Sequence, residues 1–141
     1  MELEFNGMVY NVKLELDDNN IDLKECLNAL NSDELFDYLY NYHLKLFNEI
    51  NADSYYEGKT IKSGEDLKNS IESITTIAVS DGVIYICGEY WCDPEHGFSI
   101  TFPKGKFVKS KHKEYEYDQD QGKDVDYIPI CTILGQYCDY L

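Results

Sequence analysis

The chain has 141 residues, 43% hydrophobic and 14% aromatic, with 27 acids against twelve lysines, no arginine, and a formal net charge of −15. That length and apolar content suit one domain spanning 1–141 with its own core, and they exclude a disordered polyanion. No run approaches the roughly 20 apolar residues that cross a bilayer, and the start MELEF has neither the basic nor the apolar part of a secretory leader, so the expected address is the cytoplasm.

The excess of acid is uneven. Residues 1–57 hold 13 acids and 3 Lys, residues 58–103 hold 7 and 3, and residues 104–141 hold 7 and 6. A surface of this sign repels nucleic acid and anionic lipid, so neither is an expected partner, and it steers a basic partner toward itself. Acidity that serves only solubility is the competing account. The five cysteines, Cys26, Cys87, Cys92, Cys131 and Cys138, are an odd number. Without an export signal they are expected to stay reduced, most of them as small buried hydrophobes.

The N-terminal stretch predicts a hairpin. Leu3 and Phe5 alternate with Glu2 and Glu4, Asn6-Gly7 supplies the turn, and Tyr10, Val12, Leu14 and Leu16 share one face of the return strand. Asp17-Asp18-Asn19-Asn20 closes it. Asp22 as N-cap with Glu25 three residues on predicts a short helix burying Leu23, Cys26, Leu27 and Leu30. Asn31-Ser32 offers a second cap, with Asp33 and Glu34 complementing the helix dipole. From there Leu35, Leu39, His43, Leu46, Phe47 and Ile50 recur at helical spacing, predicting one long helix that leaves Asp37, Asn41, Lys45 and Glu49 to solvent. Residues 51–62 read as loop. Ser63 predicts a further cap, for a helix to about Ser73 with Leu67, Ile71 and Ile74 on one face.

Ile74 to Val108 predicts a four-stranded antiparallel meander punctuated by Asp81-Gly82, Asp93-Pro94-Glu95-His96-Gly97 and Pro103-Lys104-Gly105. Beyond it, Lys109 to Asp118 alternates as a solvated strand would, and the spacing of Ile130, Leu134, Cys138 and Leu141 suits a terminal helix beginning near Pro129. The fold class expected is α+β: an antiparallel sheet, from the N-terminal hairpin plus the meander, packed on one long helix and shorter ones.

Three constellations suggest chemistry. Cys87, Cys92 and His96 offer thiol and imidazole ligands for zinc, but C-x4-C-x3-H is not a standard zinc spacing and no second pair closes the site. Cys92 as nucleophile with His96 as base and Glu95 or Asp93 as orienter takes every partner from one short loop, which preorganises poorly. Asp118, Asp120, Asp124 and Asp126 invite calcium, yet Gly122 and Pro129 fall at the wrong positions of an EF-hand frame. No metal or other cofactor is expected. The simpler reading of the loop is a shaped connection, with Asp93 capping the turn, Pro94 fixing φ, and Gly97 permitting the return.

Trp91-Cys92-Asp93-Pro94-Glu95-His96-Gly97-Phe98, followed by an alternating strand and Lys104-Gly105-Lys106, resembles the hairpin of small bacterial domains found among immunity proteins of polymorphic toxin and contact-dependent growth inhibition systems. The resemblance covers roughly Ile74 to Val108. It implies an α+β fold and binding to a cognate toxin, and it brings no catalytic residue with it. Joined to the charge, it yields the expectation of a non-enzymatic immunity protein that binds a basic, nuclease-like toxin domain through acids of the first half. Asp17, Asp18, Glu34, Asp37 and Glu49 are the expected contacts, with Asp93, Glu95 and His96 as a second patch. A small metal-dependent or cysteine hydrolase working at the Cys92–His96 loop, and an acidic interaction module of unspecified role, are the alternatives. The oligomeric state is left open.

Overall fold

A computed structural model describes residues 1–17, 22–52, 58–103, 105–107, 117–118 and 123–124. In chain order these form β1 (Glu2–Phe5), β2 (Met8–Asn11), β3 (Lys13–Leu16), α1 (Lys24–Leu30), α2 (Asp33–Tyr42), α3 (Leu44–Ala52), α4 (Gly64–Ser70), β4 (Ile71–Ser80), β5 (Val83–Tyr90), β6 (Phe98–Pro103), β7 (Tyr117–Asp118) and β8 (Lys123–Asp124). The protein is α+β. β1 and β2 pair as an antiparallel hairpin, β7 and β8 as a short antiparallel ribbon, and a four-stranded sheet runs in the order β3-β4-β5-β6.

Both tight turns follow from their dipeptides. Asn6-Gly7 (φ 51° and 80°) and Asp81-Gly82 (φ 51° and 77°) take the two successive positive φ values of a type I′ turn. The return strand of the first hairpin then departs from expectation. At Val12 the chain leaves β1, and Lys13–Leu16 pairs with β4 in parallel, Leu14 beside Ile77 and Leu16 beside Val79. The four-stranded sheet is therefore mixed, and its fourth strand comes from the N-terminus. The predicted fourth strand of the meander is absent from the described part of it, since Lys106 and Phe107 are not in a strand.

β4 explains a second difference. Its buried residues Ile71, Ile74 and Ile77 are three apart, a spacing that reads as helix. Register shifts between Ile71 and Ser73 and between Ile74 and Thr76 set extra residues into the strand. Each bulge turns the next side chain back toward the core, so a strand buries an i, i+3 series. The helix opened by Ser63 thus ends at Ser70, where the strand begins.

The predicted long helix is two. α2 ends at His43 (φ −105°, ψ 24°) and α3 starts at Leu44. No Gly or Pro marks this break. Hydrogen bonds from His43 N–H to Leu39 O (3.0 Å) and from Phe47 N–H to His43 O (3.1 Å) carry the helical spacing across it, which keeps the apolar stripe in phase. α1 also starts one residue later than expected. Leu23 is its cap residue, and Asp22 accepts from the N–H of Lys24 at 2.8 Å.

The core joins Leu35, Phe36, Leu39 and Phe47 of α2 and α3 to Ile77, Val79, Ile84, Ile86, Ile100 and Phe102 of the sheet, with Leu3 and Phe5 of the hairpin and Leu67 of α4. Among the described residues, no helix is long and apolar enough to cross a membrane. The expected terminal helix near Pro129 lies outside the described residues, as do Cys131 and Cys138. Of the four aspartates weighed for calcium, Asp118 falls on β7 and Asp124 on β8, and Asp120 and Asp126 lie outside.

Candidate functional site

Two serine caps each place a pair of acids in the first turn of a helix. Ser32 Oγ accepts from Leu35 N–H at 3.3 Å and starts α2 with Asp33 and Glu34 in its first turn. Ser63 Oγ accepts from Asp66 N–H at 3.1 Å and starts α4 with Glu65 and Asp66. Asp66 also reaches back, accepting from Lys62 N–H at 2.9 Å. Acids are favoured there because the unpaired N–H groups of a first turn carry partial positive charge.

α2 and α4 are held together by the absence of a side chain. A Cβ on Gly64 would run into the backbone and carboxylate of Asp37. Glycine is thus what lets the start of α4 lie against the middle of α2. The approach opens a cleft of about 360 Å³ lined by Asn6, Asp33, Asp37, Glu65, Lys68 and Asn69. The hairpin turn closes one rim, where Asn6 Nδ2 donates to Asn69 Oδ1 at 3.0 Å. Asn31, just past α1, ties back to the hairpin through Glu4 O at 3.0 Å.

Lys68 is the one cation among the six lining residues. Its side chain is only 14% exposed, with Nζ 5.9 Å from the ring centre of Phe5 and 6.0 Å from that of Phe36. The stem is buried over the aromatic rings, and the ammonium is stabilised by their faces. It lies 3.5 Å from Asn31 O and 3.8 Å from Asp33 Oδ1. Asp33 is 91% exposed, so that loose ion pair contributes little and leaves its carboxylate to solvent. Three carboxylates against one withdrawn ammonium leave the cleft negative.

Of the acids picked out from the sequence, Asp37 lines this cleft and Glu34 lies on the same helix. Glu49 is on α3, beyond the break at His43. Asp17 follows β3, its N–H donating to Val79 O at 3.2 Å. Asp18 lies outside the described residues. Neither Glu49 nor Asp17 lines the cleft. Asp33, Glu65, Lys68, Asn6 and Asn69 were not among the expected contacts. The available signal for Asp33 and Glu65 was the pair of Ser caps, each followed within two residues by an acid.

Asp93, Glu95 and His96 sit together in the β5–β6 connection, where Asp93 is occupied by its own loop. Its Oδ1 accepts from His96 N–H at 3.0 Å, its carboxylate oxygens stand 3.1 and 3.2 Å from His96 Nδ1, and its backbone O accepts from Gly97 N–H at 2.9 Å. Glu95 and His96 are exposed. Cys92 is 3% exposed, and burial pushes its thiol up to about 12, against a smaller opposing effect of the Ser70 hydroxyl. Cys87 lies mid-strand on β5 with Sγ 3.6 Å from Ser99 Oγ, its thiol also pushed up by burial. A thiol so placed stays protonated near neutrality, so this loop offers no ready nucleophile. Among the described residues, no group of three or more His, Cys, Asp or Glu side chains is placed to hold a metal ion.

No protein-family model, no curated protein and no solved structure matches the chain.

Proposed function

We propose that the protein is an immunity protein, acting in the cytoplasm, that binds a basic, nuclease-like bacterial toxin domain and blocks it through the acidic face of α2 and α4. The observation that carries this reading is the cleft. Asp33 and Asp37 from one capped helix and Glu65 from another converge on it, while Lys68 is drawn back over aromatic rings. A nuclease binds phosphate with Lys and Arg, and carboxylates held on rigid helices can occupy those same groups. The net charge of −15 adds a long-range attraction that raises the association rate. The hairpin resemblance around Trp91–Phe98 supports the same class of partner. The hydrolase alternative has no comparable observation behind it, because Cys92 is buried and Asp93 holds His96.

The test is surface plasmon resonance against the toxin domain encoded by the neighbouring gene, at low and high salt. The combined Asp33→Lys, Asp37→Lys and Glu65→Lys variant is expected to weaken binding roughly 100-fold, mostly through faster dissociation, with its circular dichroism unchanged. Binding indifferent to both salt and charge reversal would remove the proposal.

A further inference from the structure

The outer edge of β3 has a self-complementary backbone pattern. Val12 N–H donates to Met1 O at 2.7 Å, and Val12 O accepts from the Met1 amino group at 3.1 Å, so the polar groups of Val12 point away from β4. Asp17 N–H points the other way, to Val79 O on β4. Backbone direction alternates along a strand. Leu14 and Leu16 therefore turn N–H and C=O outward, as Val12 does, and Lys13 and Glu15 turn theirs toward β4. β1 covers this edge as far as Val12, and no described strand pairs with it beyond. Leu14 and Leu16 are each 39% exposed.

We propose that this edge is where a second copy of the chain docks, adding its own β3 antiparallel about a two-fold axis through Glu15. Leu14 then stands opposite Leu16 of the second copy, and Leu16 opposite Leu14. Both pairs bring outward-facing groups together, so each exchanges two N–H···O bonds and the edge is satisfied. The same register sets Lys13 against Asp17 of the other copy, twice by symmetry. Centring the axis on Leu14 instead would place Leu16 against Val12, whose groups Met1 already holds. A one-residue slip would set outward groups against inward ones.

The register has one flaw, and it makes the proposal testable. Glu15 meets Glu15 on the axis, a like-charge pair that opposes association. The net charge of −15 on each copy opposes it too, and salt screens that repulsion over about 8 Å at physiological strength. The dimer is accordingly weak and strengthened by salt. The site is independent of the acidic helix face proposed above.

Sedimentation equilibrium on the full chain, up to about 1 mM, reads the outcome. Glu15→Gln is expected to tighten the dimer about threefold, and Lys13→Glu to weaken it roughly tenfold. Leu16→Pro removes an outward N–H that no bond among the described residues uses, so it is expected to abolish dimerisation with the fold retained. A monomer for Glu15→Gln at every concentration, or a dimer that ignores both Glu15→Gln and Leu16→Pro, overturns the proposal. Should Leu16→Pro fail to fold, the opposite signs expected for Glu15→Gln and Lys13→Glu decide alone.

Discussion

Asp93 in the β5–β6 connection and Asp37 on α2 are both acids that the sequence singles out, yet they do different work. Asp93 is held by the N–H and ring of His96, so its charge is spent on shaping a turn. Asp37 lines a cleft with Asp33 and Glu65, set there by two helix caps and by the missing Cβ of Gly64. A carboxylate that organises its own loop presents little to a partner. One that projects from a rigid helix is ready to meet a cation without reordering.

Acid breaks this contrast most strongly, through the helical side of the molecule. His43 ends α2, its Nε2 is sealed without a hydrogen-bond partner among the described residues, and its ring lies against Tyr42 and Phe47. Burial lowers its pKa to about 4 from the ordinary 6.5. The unfolded chain therefore binds the proton more readily than the folded one. Stability from the neutral ring is complete above about pH 6.5 and is lost as pH falls toward 4, up to about 3 kcal/mol. Urea midpoints at pH 7 and 4.5 should differ more for the wild type than for His43→Leu; equal differences would show that other groups carry the acid sensitivity.

Gly64→Ala comes next. Its methyl group must displace the Asp37 backbone, parting α2 from α4, at a cost of about 2 kcal/mol in chemical denaturation. The variant is also expected to lose affinity for the basic partner, since the carboxylates move apart, while the β5–β6 loop is untouched. The smallest effect belongs to the loop. Asp93→Ala forfeits a turn-capping bond and costs about 1 kcal/mol, with partner affinity unchanged. A larger loss of affinity from Asp93→Ala than from Gly64→Ala would reverse the comparison and move the working surface to the loop.

Much of this is legible in the sequence. Asn6-Gly7 and Asp81-Gly82 announced their turns, and Ser32 and Ser63 announced their helices, because each acts through groups two or three residues away. The β5–β6 loop was equally readable as a shaped connection, since Asp93 reaches only as far as Gly97. The cleft was not. Asp37 could be chosen as a solvent-facing acid of a helix, but its meeting with Glu65 depends on Gly64, a residue whose contribution is the absence of a contact.

The local sequence thus determined the α+β class, the turns, the caps and the negative charge, all of which follow from short-range hydrogen bonding and composition. Tertiary structure alone decided three things. It sent Lys13–Leu16 to β4 in parallel, a choice made by a strand about sixty residues away. It buried Ile71, Ile74 and Ile77 on one strand face through bulges that periodicity reads as helix. It also brought two short helices close enough to turn scattered acids into one cleft. These are long-range contacts, and a run of residues carries no record of which distant partner will complete it.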